Sequence, residues 1–514
     1  MGEAKRRQEI ALNAVLEPIL VDTPGGRIHV QWDHNASATA NAQLAFFAEF
    51  LVATGLYKSW LATCPLSYTS PNAPDKADVL GTWMLSILAG HKRYAHVTAL
   101  RGDLVSTQIL GMKKIISEDS LRRALARMSI EQSKAWLCPQ LIASVQGALN
   151  LPWILDIDTT IKPLYGKQEG AEIGYNPHKP GRPSHALHTY LVGNLRLVLD
   201  AVVTSGNESS SASSRPGLIE VLEALTPKQQ PTLVRGDCGF GNEPFIIALE
   251  QRSQAYLFKM RKSPFVQRLL ARNFNSPDWT EPGAGDQGWS AMEDSIKLSG
   301  WQQARRVVLL RRPIKVDLAL SQQVPGQAGE QVELFFPGKD TRTWEYATLV
   351  TNSTYEPQTI AQLYRDRADA ENSFDELKNQ WGWGGFTTQD MGRCQSSARA
   401  VALIYNWWSW YCRAANPSAR MEAITSRALL LAGVGKAVSH AGQTTLYLTS
   451  MHGAKDKLMA LVGNIRQALL HVKTIAEQLP SVSRWQTFID YVITRFIRQP
   501  PCWQRNTCVE LLGN

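Results

Sequence analysis

The 514-residue chain contains no CxxC pair. Its seven cysteines (Cys64, Cys138, Cys238, Cys394, Cys412, Cys502, Cys508) are odd in number and scattered. That argues against a disulfide framework and a structural zinc site, and fits a reducing compartment. Long apolar runs are missing too. The most apolar stretch, AVALIYNWWSWYC over 400–412, is too short to span a bilayer and is bounded by Arg399 and Arg413. The N-terminus, MGEAKRRQEIALNAV, carries basic residues without an apolar h-region, and Arg6 breaks the myristoylation pattern. A soluble, cytoplasmic protein is expected. GKQEG and GFGNE lack P-loop spacing, and no G-x-S-x-G elbow occurs, so neither an ATPase nor an acyl-transfer enzyme is expected. His178, His185 and His188 lack a fourth ligand nearby, and the last two should lie on opposite faces of a strand, so a histidine metal site is not expected. No internal repeat is visible.

What is present is ordinary in bulk: 44% hydrophobic and 19% charged residues exclude wholesale disorder. The length exceeds one hydrophobic core, so two to four units are expected. Lys and Arg number 54 against 45 Asp and Glu, a net charge of +9 that suits a polyanionic partner such as nucleic acid.

Residues 1–150 read as mainly helical. Within 102–128, Gly111 splits two helical runs; Ser117 is a natural N-cap, with Glu118 and Asp119 in the first turn. Leu121, Leu125 and Met128 face one way, Arg123 and Arg127 another. A DNA-binding helix-turn-helix fits this pattern, with an amphipathic pair in a bundle as the competing reading. From 151 the texture changes. WILDIDTTI (153–161) reads as a buried strand carrying two aspartates, and a Gly/Pro/Lys-rich loop follows. HALHTYLVGNLRLVLDAVV reads as a hairpin turning at Gly193-Asn194. SGNESSSASSRPG reads as a flexible connector and LIEVLEAL as a short helix. TLVRGD, NEPFIIALEQRS and AYLFKM read as strand, helix and strand. The order β-β-β-α-β-α-β is that of a ribonuclease-H-like core. Residues 263–352 carry ARRVVLLRR, QVELFF and WEYATLVTN between turns, a mostly β insertion. One helix is expected over roughly 356–380, and mostly helical chain from there to 514.

That helix holds five acidic and three basic side chains in QLYRDRADAENSFDELKNQ. At about 100° per residue, Tyr364, Arg367, Glu371 and Lys378 share one narrow stripe, beside an apolar stripe of Ile360, Leu363, Ala370, Phe374 and Leu377. A solvated, ion-paired face is the competing reading. The strands add Asp158 and, at the end of VRGD, Asp237. In a ribonuclease-H-like sheet these strands are neighbours, and a helix crossing them can set Glu371 against both aspartates. Two carboxylates at about 4 Å repel by about 4 kcal/mol at an effective dielectric of 20, tolerable if cations sit between them. Oxygen-only ligands select Mg²⁺ or Mn²⁺, and two such ions can drive phosphodiester chemistry.

These motifs resemble the bacterial insertion-sequence transposases of the DDE type marked Y-x2-R-x3-E-x6-K, here Tyr364, Arg367, Glu371 and Lys378. LDIDTT resembles the first-aspartate strand of that group and RGDCGF the second; AENSFDELKNQWGWGGF and ALIYNWW resemble it as well, over roughly 150–412. The resemblance implies that Asp158, Asp237 and Glu371 hold two Mg²⁺ (or Mn²⁺) ions. Asp156 is the rival for the first position, and Asp158 is preferred because it directly precedes Thr159 and Thr160. Tyr364, Arg367 and Lys378 would touch phosphates beside the cleaved bond. Trp344, with Tyr346 close behind, would stack on a flipped base, a core aromatic being the competing reading. Lys259, Arg261 and Lys262 would lie near the metals. Further basic groups are Lys162, Lys167, Lys179 and Arg182, and Arg305, Arg306, Arg311 and Arg312.

The implied organisation is a helical DNA-binding domain (1–150), a catalytic core in two parts (151–262 and 353–412) around the β-rich insertion (263–352), and a helical C-terminal region (413–514) for dimerisation or DNA contact. The implied partners are double-stranded DNA with terminal inverted repeats, target DNA and a second copy of the chain, in a bacterial cytoplasm at the nucleoid. The implied activity is cleavage of element ends and joining to target DNA, through a hairpin. A DNA-binding protein of transposase descent without catalysis, or a nuclease that does not join, are the alternatives.

Overall fold

The computed structural model describes residues 18–31, 33, 37–176, 179–314, 343–449 and 453–497. His178, Cys502, Cys508 and the expected strand QVELFF lie outside them.

The centre is one large mixed sheet. Strand β1 (Ile154–Pro163) pairs antiparallel with β2 (Pro183–Val192), and β2 with β3 (Leu197–Ser205). On its other side β1 runs parallel to β4 (Leu233–Gly236), and β4 parallel to β5 (Tyr256–Lys259). The order expected from the sequence, three antiparallel strands and then two alternating with helices, is what forms. Strands β6 (Ser290–Ile296), β7 (Arg305–Ile314) and β8 (Thr343–Thr351), within the segment expected as an insertion, continue the same sheet, with β8 antiparallel to β5. The full order is β6-β7-β8-β5-β4-β1-β2-β3, with a two-residue strand at Glu172–Ile173 also on β2.

Before the sheet come α1 (Glu118–Leu125) and α2 (Ile130–Val145), the latter entered through a reciprocal Ser129–Gln132 cap. Helix α3 (Ser210–Glu223) joins β3 to β4, and α4 (Glu243–Glu250) joins β4 to β5. Here the expectation of a flexible connector fails, since the serine-rich segment is the first half of α3. Tertiary packing overrides its composition: the Tyr190 hydroxyl donates to the Ser214 carbonyl at 2.5 Å, and any side chain at Gly217 would strike that tyrosine.

The single helix expected over 356–380 forms as two, α5 (Pro357–Arg365) and α6 (Ala368–Gln380). Asp366 and Arg367 form the joint, where the Arg367 N–H bonds the Tyr364 carbonyl three residues back rather than four. The apolar stripe survives this break, with Ile360, Leu363, Ala370, Phe374 and Leu377 all buried.

Helix α7 (Met391–Ala415) contains the most apolar run and is the central core element, with Trp407, Trp408 and Trp410 fully enclosed. It lies against β3, an edge strand. Asn406 covers part of that edge, accepting from the Val198 N–H at 2.9 Å and donating to the Val198 carbonyl at 2.7 Å. Nearby, Arg399 clasps Asp200 through two bonds of 2.7 and 3.0 Å, both side chains buried. Ala38–Thr39 pairs with a hairpin late in the chain (Gly435–His440, Gln443–Leu448), a β element inside the mostly helical stretch. No single described helix is long and apolar enough to cross a membrane.

Candidate active site

Strand alternation sets the site. Ile154, Asp156 and Asp158 share one face of β1; Leu233, Arg235 and, just past the strand end, Asp237 continue that face on β4. Ile154, Leu233 and Leu257 on this face pack against Ile360, Ala361 and Leu363 of α5. Helix α5 therefore covers the same face that bears the aspartates, and the joint after it sets Arg367 against Asp158.

The two aspartates of β1 have different fates. Asp156 is fully buried and takes two bonds from Arg235, at 2.6 and 2.7 Å, while Arg235 also donates to the Leu363 carbonyl. Asp156 thus belongs to a buried ion pair that ties β1, β4 and α5 together, with no part of its side chain exposed. Asp158, two residues on, is partly open at the cleft. Burial pushes its carboxyl above the usual aspartate range and the neighbouring Asp237 pushes further, while Arg367 and Lys378 pull the other way. Asp237 sits at the end of β4, with one oxygen accepting the Gly239 N–H at 2.8 Å and the other left over.

Arg367 stands at the joint between α5 and α6, nearly buried, and bridges two of the acids: Nη2 lies 3.2 Å from Asp158 and Nη1 2.7 Å from Glu371. Burial opposes its charge, but Asp158 and the other surrounding oxygens hold its pKa above the usual value. Its guanidinium is committed to carboxylates rather than presented to solvent for a phosphate. Glu371, in the first turn of α6, is well exposed beyond that bond, and the start of α6 is pinned by Arg196 to Asp369 at 2.7 Å. Lys378 is exposed two turns later, within electrostatic reach of Asp158. Tyr364 packs at the edge of the apolar cluster beneath α5.

The donor chemistry fits hard cations, since every acid here offers only oxygen. A cation would also relieve the mutual repulsion of Asp158 and Asp237. The fit is incomplete in Glu371, which faces Arg367. Among the described residues no group of three Asp, Glu, His or Cys side chains is arranged to hold a metal ion.

The remaining sequence candidates fall in several places. Lys259 closes β5, the parallel neighbour of β4, and with Arg261 it acts on Cys238 beside Asp237. Lys262 is exposed just beyond. Trp344 is less suitably placed. Leu349 lies opposite Lys259, so the odd-numbered residues of β8 share the carboxylate face, and Trp344 and Tyr346 lie on the other. The Arg311 guanidinium sits 4.8 Å from the Trp344 ring and 4.2 Å from Trp279. Tyr346 is buried, which pushes its phenol up to about 12. Trp289, a residue the sequence did not single out, packs in the apolar cluster on the carboxylate face, under Arg312 at 4.8 Å. In the N-terminal region Arg123 is exposed; Arg127 lies past the end of α1, over the Tyr68 ring at 5.3 Å. His185 bonds the Glu169 carbonyl at 2.7 Å, and His188 bonds Thr159 and Thr204 at 3.0 and 2.9 Å, so both are structural.

Sequence comparison settles the family. The profile described as transposase DDE domain group 1 matches residues 36–470, most of the chain. The chain belongs to the DDE transposases. No match was found among curated protein sequences. Among solved structures, a piggyBac transposase synaptic complex with hairpin DNA is similar at 10% identity over 90% of this transposase and 86% of that chain, with a TM-score of 0.35.

Proposed function

We propose that this transposase cleaves DNA at the ends of a mobile element and joins the freed 3′ ends to target DNA. Asp158, Asp237 and Glu371 are the catalytic carboxylates of a ribonuclease-H-like core. The observation that carries this reading is the shared face. Two aspartates share a face on adjacent parallel strands, Arg367 at the helix joint bonds one of them together with Glu371, and the charge of Asp237 raises the pKa of Asp158.

Asp158 and Asp237 would hold Mg²⁺ or Mn²⁺ first, with Glu371 completing the set on exchanging Arg367 for an ion. When bound, two such ions supply activation of the attacking oxygen and stabilisation of the leaving one. The chain's own residues do the rest. Arg367 keeps the acids in register until they are loaded. Lys378, with Lys259 and Arg261 at the end of β5, faces the phosphates that flank the scissile bond. The order of reaction follows the family resemblance: water frees a 3′-hydroxyl, this attacks the opposite strand to give a hairpin, and the reopened end attacks target DNA. The N-terminal helices would bind the repeats and the C-terminal region would pair two copies.

The test is incubation of purified protein with Mg²⁺ and DNA bearing the element's terminal repeats, followed by mapping of broken and joined strands. Cleavage at the repeat ends is expected. Asp158→Ala, Asp237→Ala and Glu371→Ala should each abolish it, as should EDTA, while end binding persists. Cleavage that survives the Glu371 change would overturn the assignment.

A further inference from the structure

Beyond Asp158, the same face of β1 continues through Thr160 and Lys162 into a groove of about 730 Å³. One wall is the end of α6, with Lys378 and the glycine turn after it. The opposite wall comes from the N-terminal region, with Lys92, Arg93 and Arg122. No carboxylate lines it. Arg122 has Glu118 at 3.6 Å, but Lys92, Arg93 and Lys378 have no ion pair among the described residues, and all three are exposed. Lys162 donates to the Gly385 carbonyl at 3.3 Å, and burial lowers its pKa.

The walls are fixed to each other. The Phe386 N–H donates to the Lys92 carbonyl at 2.8 Å. A side chain at Gly382 would meet the His91 carbonyl at 2.4 Å, and one at Gly385 the Lys92 carbonyl at 2.5 Å. The glycines of WGWGGF thus let the loop carrying Lys92 and Arg93 lie directly on the turn that ends the glutamate helix. At the rim stands Tyr165, 68% exposed, with Lys179 and Arg182 within 5.1 and 4.8 Å of its ring.

Unpaired cations along a groove, with an exposed aromatic among further cations at its rim, are what a single nucleic-acid strand requires: charge for the phosphates and a flat face for a base. We infer that this groove seats an unpaired stretch of DNA adjoining the scissile phosphate, its backbone on Lys92, Arg93, Arg122 and Lys378 and one base stacked on Tyr165. The inference rests on the transposase reading above, but it is tested by binding alone.

The probes are a short fluorescein-labelled oligothymidine and a blunt duplex of the same length, followed by anisotropy in EDTA across a salt series with the full chain. Lys92→Ala/Arg93→Ala should reduce the log–log salt slope for the single strand by about 1.4, that is about 0.7 for each lost phosphate contact. Tyr165→Ala should weaken single-strand binding by about 5- to 150-fold and blunt-duplex binding by less than about twofold, with Tyr165→Phe restoring it. Arg101→Ala, an exposed cation outside the groove, is the charge control and should leave the slope nearly unchanged. An unchanged slope in the double variant, a slope lowered equally by Arg101→Ala, or equal losses on duplex and single strand from Tyr165→Ala would each overturn the inference. Failure of the parent protein to cut repeat-bearing DNA in Mg²⁺ would instead refute the transposase reading and leave the binding result standing.

Discussion

Asp156 and Asp158 are two residues apart on one strand face, and exchanging each for asparagine separates a structural acid from a chemical one. Asp156→Asn removes the negative partner of Arg235 in a pair bonded at 2.6 and 2.7 Å, with both side chains at most 3% exposed. The Arg235 charge is then stranded in the core. Breaking such a pair costs about 3–5 kcal/mol, which at about 2.1 cal/mol/K of unfolding entropy per residue lowers the melting midpoint of a chain this long by about 3–5 degrees. Asp158→Asn strands nothing, because Arg367 keeps Glu371 at 2.7 Å and repulsion with Asp237 disappears. Its stability cost is therefore about 1–2 kcal/mol or less. The assay pairs thermal unfolding with strand cleavage, normalised to folded protein. Asp156→Asn should unfold early and, below its midpoint, still cut. Asp158→Asn should melt near the parent and not cut. A stable, inactive Asp156→Asn beside an active Asp158→Asn would refute both the assignment and the burial argument behind it.

Arg367→Lys keeps the charge but cannot span Asp158 and Glu371 with a planar fork; cleavage should fall at least about tenfold with the midpoint moved by only a few degrees. Burial lowers the His188 pKa to about 4, against about 6.5 when unfolded. The unfolded chain then binds the extra proton between these values, so this contribution, about 3 kcal/mol, is complete above pH 6.5 and is lost as pH falls toward 4. Acid unfolding of His188→Gln should accordingly show a shallower slope over that interval; an unchanged slope would count against a neutral, buried imidazole. Arg399→Met should cost about 3–5 kcal/mol by leaving Asp200 buried alone, and adding Asp200→Asn should recover most of it in denaturant unfolding.

The order of core strands, the faces of α5 and α6, and the two aspartate motifs could all be read from alternation and spacing, because each depends on neighbours in sequence. What escaped depends on register between distant strands. Asp156 looks as available as Asp158 until the parallel pairing of β1 with β4 puts Arg235 directly beside it. Trp344 looks like a site aromatic until the pairing of β8 with β5 turns it to the far face. Glu376, one of four acids in α6, is buried because Arg420 and the Ala423 N–H reach it from more than forty residues on. The helical state of the serine-rich half of α3 has the same kind of cause, since Tyr190 on another element bonds it. Lys92 and Arg93 carry no signal of their own in the sequence, because only the packing of their backbone on the glycine turn at 382–385 brings them to the groove.

Strand β8 hydrogen-bonds straight onto β5 and carries β7 and β6 with it, so removing the three would cut through a continuous hydrogen-bonded sheet. A shortened version lacking them would lay bare the amide and carbonyl row of β5, a sticky border that invites other chains to stack on it. Anyone engineering a compact variant should therefore graft a substitute flanking strand in place of β8, rather than close the gap with a linker.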